Sequence, residues 1–200
     1  MNSNEIAGFG DITSATLVKQ ADFNESFGME GHFVAKCYDK DGNLKWEDEI
    51  NNLVVAVGKQ LMLDTLLAGS SYTATVVMGL VGASPTFAAT DTQASHGGWN
   101  EVGGTNAPAY SGTRKTPTFS AATSTGSTPS NVTTKATSSA VTFTFTSGGT
   151  VAGCFINING SATQDNTTGT LYSAGSFTGG SKTVANTDQL NVTYSTTATS

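Results

Sequence analysis

The chain has 200 residues, of which 12% are charged and 8% are aromatic, with 23 glycines and a formal net charge of −6. This length is sufficient for one β-sandwich or barrel with its own core. The negative charge argues against a nucleic-acid partner, which requires a basic stripe, and no apolar run reaches the length of a membrane span. The first residues lack the basic start and apolar core of a signal peptide, so we expect synthesis in the cytosol without export by that route.

Charge is concentrated in the first third of the sequence. Positions 1–64 hold 16 of the 24 charged residues, whereas Ser and Thr dominate the second half. In that half, hydroxyl residues alternate with apolar ones, as at 141–146 and 189–194. A period of two predicts strands with one wet and one buried face. Because the wet face is uncharged, the pattern favours a static surface over a titrating active site.

Residues 1–30 show no sustained hydrophobic period. Five apolar side chains are spaced singly along this segment, and they are candidate protein-contact anchors: Ile6, Phe9, Leu17, Phe23 and Phe27. A segment of this kind cannot bury its apolar side chains alone. We therefore predict an extended N-terminal arm over 1–30 that lies on a neighbouring molecule, followed by a folded domain over 31–200.

The first elements predicted after the arm are a β-hairpin and a helix. Residues 32–38 and 44–49 predict two strands, and the turn chemistry of 39–43 joins them. Apolar residues then recur at a helical period, which predicts one helix over about 55–67. The Gly-rich segment 87–112 predicts a structured excursion over the sheet.

The remainder of the chain predicts strands separated by Gly-rich turns. The predicted strands are 72–81, 116–121, 138–146, 150–158, 169–177 and 190–196. About eight short strands with regular turns predict a mainly β fold, an antiparallel β-sandwich of jelly-roll-like or immunoglobulin-like type. Cys37 and Cys154 each lie in an apolar-alternating run, so we predict two reduced, buried thiols.

No motif in the sequence identifies an enzyme or a cofactor site. The acidic run at 39–43 has its glycine in the wrong place for a calcium loop, so a hairpin turn is favoured. His32 and His96 lack neighbouring ligands at zinc spacing. We predict that His96 and Trp99 pin a loop through burial of the indole, with a ligand-binding surface there as the alternative. The acidic residues 47–49 predict an exposed strand edge that resists aggregation.

Three stretches of the chain resemble proteins of tailed-bacteriophage virions. They are 31–55, with the sequence GHFVAKCYDKDGNLKWEDEINNLVV; 91–101, with DTQASHGGWNE; and 169–194, which begins GTLYSAGSF. The resemblance extends over residues 31–196. It implies a structural component of the virion, tail-fibre-like or capsid-associated, made in the host cytoplasm, and it brings no active-site residues.

The residues and the resemblance together predict a virion structural protein without catalytic activity. The first hypothesis is a capsid decoration (cement) protein that binds the major capsid protein, or other virion proteins, as a homo-oligomer, with a trimer favoured. The second is a tail, fibre or adaptor component, although the chain has neither repeats nor heptads. The third is a carbohydrate-binding module, which requires exposed aromatic residues. We predict no nucleic-acid or membrane partner.

Overall fold

Alternation of apolar and polar residues produces strands along most of the chain. In the computed structural model, which describes residues 28–67, 73–125 and 132–199, twelve strands and one helix follow in order. They are β1 (Gly28–Tyr38), β2 (Leu44–Val54), α1 (Ala56–Leu67), β3 (Val76–Val81), β4 (Glu101–Val102), β5 (Thr123–Thr125), β6 (Val132–Ala136), β7 (Val141–Thr144), β8 (Gly149–Val151), β9 (Gly153–Ile158), β10 (Thr170–Ser176), β11 (Lys182–Val184) and β12 (Gln189–Thr199).

Ten of these strands form one antiparallel sheet that bends into two layers. Its order is β4-β3-β9-β10-β2-β1-β12-β6-β5, and β7 also pairs with β12. Residues 44–52 of β2 pair with β1, while Leu53 and Val54 pair with β10, so β2 belongs to both layers. We call the layer of β2, β1, β12, β7, β6 and β5 the first layer, and the layer of β4, β3, β9 and β10 the second. Strands β8 and β11 form a separate two-stranded sheet.

The main core lies between the two layers. Alternate residues of β1 and β12 point inward and are buried, as Phe33, Ala35 and Cys37 do in β1. They share one cluster with residues of the second layer such as Met78 and Cys154. Both cysteines are free and buried, as predicted. Burial raises the pKa of the Cys37 thiol to about 12, so the thiol stays protonated at neutral pH.

The second layer is buried on both faces, so β3 reads as a continuous apolar run, while β9 and β10 also bury the polar residues Asn157 and Ser173. On its outer side a smaller cluster forms from Val55, Val81, Trp99, Phe155, Leu171 and Ala174. The start of α1 and the segment after β3 cover this side, and Ala56 N–H donates to Ala89 O at 2.9 Å. Helix α1 approaches β10 closely at Gly58, where an added Cβ would lie 2.4 Å from Tyr172 O.

The predicted fold class is confirmed: the protein is mainly β and antiparallel, sandwich-like, with one helix. Strand β1 begins at Gly28, so residues 28–30, which we assigned to the arm, pair with β12. The strand predicted at 116–121 is wrong, since only an isolated bridge joins Phe119 to Thr137 there. No helix within the three described ranges is both long and apolar enough to span a membrane.

Candidate interaction surfaces

Loops at one end of the second layer enclose a polar groove of about 510 Å³. We define the polar groove by residues 93–97, 99–101, 105–106 and 165–167, which line it. The segment between β3 and β4 supplies most of these residues, β4 and the turn after it supply Glu101, Thr105 and Asn106, and the loop between β9 and β10 supplies 165–167. The groove therefore contains the part of the sequence in which we expected a pinned loop or, alternatively, a ligand surface.

A buried ion pair supports the polar groove. Arg114 donates through Nε and Nη2 to the two carboxylate oxygens of Glu101, at 2.8 and 2.7 Å. The same guanidinium donates to the carbonyl oxygens of Ser161 and Asn166. Asp165 N–H adds a further hydrogen bond to Glu101 at 2.9 Å. Because Glu101 accepts from three N–H groups and is 4% exposed, it holds the two loops together and is poorly placed to transfer a proton.

His96 and Trp99 fix the first loop of the groove, as the sequence predicted. The two rings stack with centroids 3.8 Å apart, and His96 Nδ1 lies 3.1 Å from Trp99 O. Trp99 is 6% exposed, and its indole N–H donates to Asp91 at 3.2 Å. The indole packs on Phe155 in the smaller core cluster. Trp99 is therefore a core residue and does not offer an open stacking face.

Gln93 is the residue of the polar groove that sequence reasoning missed. Its side chain is buried, its amide donates to Asn166 O at 3.4 Å, and its Oε1 has no hydrogen-bond partner. An unpaired buried acceptor costs free energy, and a donor entering the groove would relieve that cost. A single Gln in a loop gives no sequence signal, since only the fold brings it next to Asn166.

The outer face of the first layer is covered with hydroxyl and amide side chains on one half. Outward residues of β12, β7 and β6 alternate with buried Leu190, Val192 and Tyr194. We define the hydroxyl face by these outward residues: Thr134, Thr142, Asn191, Thr193, Ser195 and Thr197. Some of them bond to each other across strands, as Thr142 does to Asn191 at 2.7 Å. None of these six side chains is ionisable.

The other half of the same face, on β1 and β2, carries ion pairs. Lys36 lies 3.0 Å from Glu47, and His32 lies 2.8 Å from Glu49. Glu47 and Glu49 are exposed, in line with the predicted solvated edge. The uneven charge along the sequence thus becomes a division of one surface into a charged half and a hydroxyl half.

Asp48 differs from the predicted exposed edge. The strand alternation turns it inward beside Trp46 and Ile50, and its side chain is 8% exposed. Lys182 lies 2.6 Å away, and Gly179 N–H donates to the carboxylate at 3.0 Å. Burial raises the pKa of Asp48, but these donors outweigh it and the pKa lies below its usual range. The loop after β10 therefore covers this edge of β2.

The hairpin turn at 39–43 forms as predicted. Asp39 accepts hydrogen bonds from the N–H groups of Asp41 and Asn43, both at 2.9 Å, and Gly42 has a φ of 84°. The hydrogen bond from the Asn43 side chain lowers the pKa of the Asp39 carboxyl. Across the residues with described placement, no three His, Cys, Asp or Glu side chains gather in a metal-binding group.

An apolar groove opens where β1 begins. We define it by Met29, Met62, Val76, Phe119, Ile156, Ile158, Tyr172 and Tyr194, and its volume is about 330 Å³. Lys135 and Thr196 complete its wall. A smaller cavity of about 220 Å³ continues past Met29 and Met62 to Lys59 and Leu63 of α1. Leu63 is 54% exposed, so the apolar surface continues onto the helix.

The five predicted anchors, Ile6, Phe9, Leu17, Phe23 and Phe27, lie outside the described residues. Comparison of the chain with protein-family models, with curated proteins and with solved structures found no match. The candidate interaction surfaces of the described residues are the polar groove, the hydroxyl face and the apolar groove.

Proposed function

We propose that the protein is a bacteriophage virion structural protein that decorates the capsid, binding the major capsid protein as a homo-oligomer. The observation that carries the proposal is the hydroxyl face. Six outward Thr, Ser and Asn side chains on three adjacent strands give a surface that packs against protein without removing ions from water. The resemblance of residues 31–196 to phage virion proteins supports the same role.

The polar chemistry of the fold also favours a structural role over catalysis. The buried carboxylates of Glu101 and Asp48 are each held by a cation and by backbone N–H groups. His96 stacks on a core tryptophan. These groups stabilise loops. None of the hydrogen bonds described above joins them to a nucleophilic side chain.

The proposed contact is tested by placing one positive charge on the hydroxyl face. Thr193 is exposed at the centre of this face, so Thr193→Lys introduces an ion that must be desolvated on binding. We expect the apparent affinity for particles to fall at least about tenfold, which corresponds to about 1.4 kcal/mol of binding free energy. Thr183→Lys is the matched control, because Thr183 is an exposed strand threonine on the separate β8–β11 sheet.

The position of the protein in the intact virion decides between the decoration role and its runner-up. Density for the chain on the head shell, lost with Thr193→Lys and kept with Thr183→Lys, supports capsid decoration. Density on the tail instead supports the fibre or adaptor role. Absence of the chain from both positions would contradict a virion role.

Carbohydrate binding in the polar groove is the second candidate function. The observation that favours it is the unpaired Gln93 Oε1, which suits a hydroxyl donor from a sugar. Burial of Trp99 weighs against it, because the indole offers no open stacking surface. Binding to a glycan array that is lost in the Gln93→Leu variant would establish this function. Absence of binding to any glycan on the array would exclude it.

A further inference from the structure

The apolar groove lies next to the point at which the described chain begins. Met29 of β1 forms part of its wall, together with Met62 of α1 and Tyr194 of β12. The lining is almost entirely carbon, and the surface continues past Met62 to exposed Leu63. An open apolar groove of this kind favours an apolar occupant.

The amino-acid composition of residues 1–27 suits this apolar groove. They include Phe23 and Phe27, and they carry four carboxylates against the single lysine Lys19. Lys135 lies in the wall of the groove, and Lys59 lines the smaller adjoining cavity. An acidic segment with aromatic side chains therefore matches the groove both in polarity and in charge.

We propose that the chain's own segment 23–27 docks in the apolar groove, with Phe23 or Phe27 inserted between Met29, Met62 and Tyr194. Met29, an inward residue of β1, lines the groove, and Phe27 lies two positions before it in the sequence. Five residues span at most about 18 Å, so the backbone of 23–27 stays within that distance of Gly28, next to Met29 in the wall of the groove. Tethering gives this segment a large advantage over a second molecule.

This inference goes beyond the proposed function, because it concerns the free protein and needs no particle. It divides the predicted arm into two parts with different tasks. Phe23 and Phe27 dock on the domain, whereas Ile6, Phe9 and Leu17 remain for a virion partner. Failure of the inference would leave the test on the hydroxyl face unaffected.

Cross-linking of the full chain tests the docking. Ser26→Cys is combined with Leu63→Cys at the groove, and the control carries the same two cysteines together with Phe23→Ser and Phe27→Ser. Leu63 is 54% exposed, and the control keeps both thiols at the same positions in the chain, so tethering alone acts equally in the two variants. The native thiols of Cys37 and Cys154 are buried and stay unreactive. Docking through the phenylalanine rings predicts rapid intramolecular oxidation in the first variant and several-fold slower oxidation in the control.

Equal oxidation rates with and without the two phenylalanine substitutions, or a disulfide-linked dimer in place of the intramolecular product, would overturn the proposal. If neither variant oxidises, binding of a hydrophobic dye decides the question. Removal of residues 1–27 then exposes the groove and raises dye fluorescence several-fold if segment 23–27 covers it. Met62→Glu in the truncated chain should reverse that rise. Unchanged dye fluorescence on truncation would contradict docking.

Discussion

Three carboxylates of this protein are withdrawn from water, and each is paired with a cation from another strand or loop. Glu101 pairs with Arg114, Asp48 with Lys182, and Asp188 with Lys45. The side chains of the three acids are between 3% and 8% exposed. In a chain that is only 12% charged, much of the charge after residue 64 thus serves to connect loops. Buried ion pairs of this kind add little charge to the protein surface.

The Asp48 pair predicts a dependence of stability on pH. The folded pKa of Asp48 is below its usual value of 3.8. The carboxylate therefore stabilises the fold fully above that usual pKa, and the stabilisation is lost as pH falls through the folded pKa. We expect Asp48→Asn to lower the free energy of unfolding by about 1–3 kcal/mol at pH 7 and by much less at an acidic pH below the folded pKa of Asp48.

Urea unfolding at the two pH values measures this difference. Glu47→Gln is the matched control, because Glu47 is a neighbouring acid of β2 whose pair with Lys36 is exposed. Exposed pairs contribute between zero and about 1 kcal/mol, so the control should change little at either pH. Equal losses for Asp48→Asn and Glu47→Gln at pH 7 would show that burial of Asp48 does not matter.

Sequence reasoning could not find these pairs, for a reason visible at Asp48. The run at 47–49 looks solvated, and alternation alone assigns Asp48 to the inward side without naming a partner. Lys182 is far away in the chain, and only the loop after β10 brings it to β2. Arg114 and Gln93 are equally isolated in the sequence. Local turns such as 39–43, by contrast, contain all their hydrogen-bonding groups and were predicted correctly.

At the scale of elements, the contact between α1 and β10 is fixed by a glycine. An alanine Cβ at position 58 would lie 2.4 Å from Tyr172 O and 3.0 Å from Tyr172 Cα. Alanine is normally better than glycine inside a helix by about 1 kcal/mol. Here a backbone group blocks the added methyl, so we expect Gly58→Ala to destabilise the protein by about 1–3 kcal/mol.

Thermal or urea unfolding of Gly58→Ala against Gly97→Ala isolates this contact. Gly97 has no neighbouring atom within 4 Å of an added Cβ, so its substitution should cost little. A neutral or stabilised Gly58→Ala variant would mean that α1 moves away from β10 without penalty. In that case the close approach at Tyr172 does not position the helix.

The elements that the sequence predicts have an alternating or an apolar-rich local pattern. Strands β1, β7 and β12 alternate, so their residues indicate them directly. Helix α1 is rich in apolar residues, but these residues are not confined to one face. Strands β6 and β11 were missed because Val132–Ala136 and Lys182–Val184 contain few apolar residues and owe their structure to partners. The run at 150–158 was predicted as one strand, yet Ala152 separates β8 from β9 and each pairs elsewhere.

At the scale of the whole molecule, we predict a homo-oligomer, with a trimer as the favoured state. Residues 65–200 carry only 8 of the 24 charged side chains, which leaves surface beyond the hydroxyl face that can pack between copies without desolvating ions. Repeated copies also gain avidity on a particle. Light scattering should report three times the chain mass of 20.4 kDa. Contacts made by hydroxyl groups are weakly screened, so the mass should persist between about 0.1 and 1 M salt. A monomer both in solution and on the particle would contradict this prediction.

The position of β12 has a consequence for how the chain is made. The last described strand pairs with β1, β6 and β7, so it lies in the middle of the first layer. During synthesis, β1 and β2 leave the ribosome long before β12 is translated, and the first layer cannot be completed without it. Pairing of Gly28 with Thr199 also closes nearly the whole chain into one loop, which makes folding slow. Folding of the nascent protein therefore depends on β12, and a chain that is interrupted before this strand has an incomplete sheet.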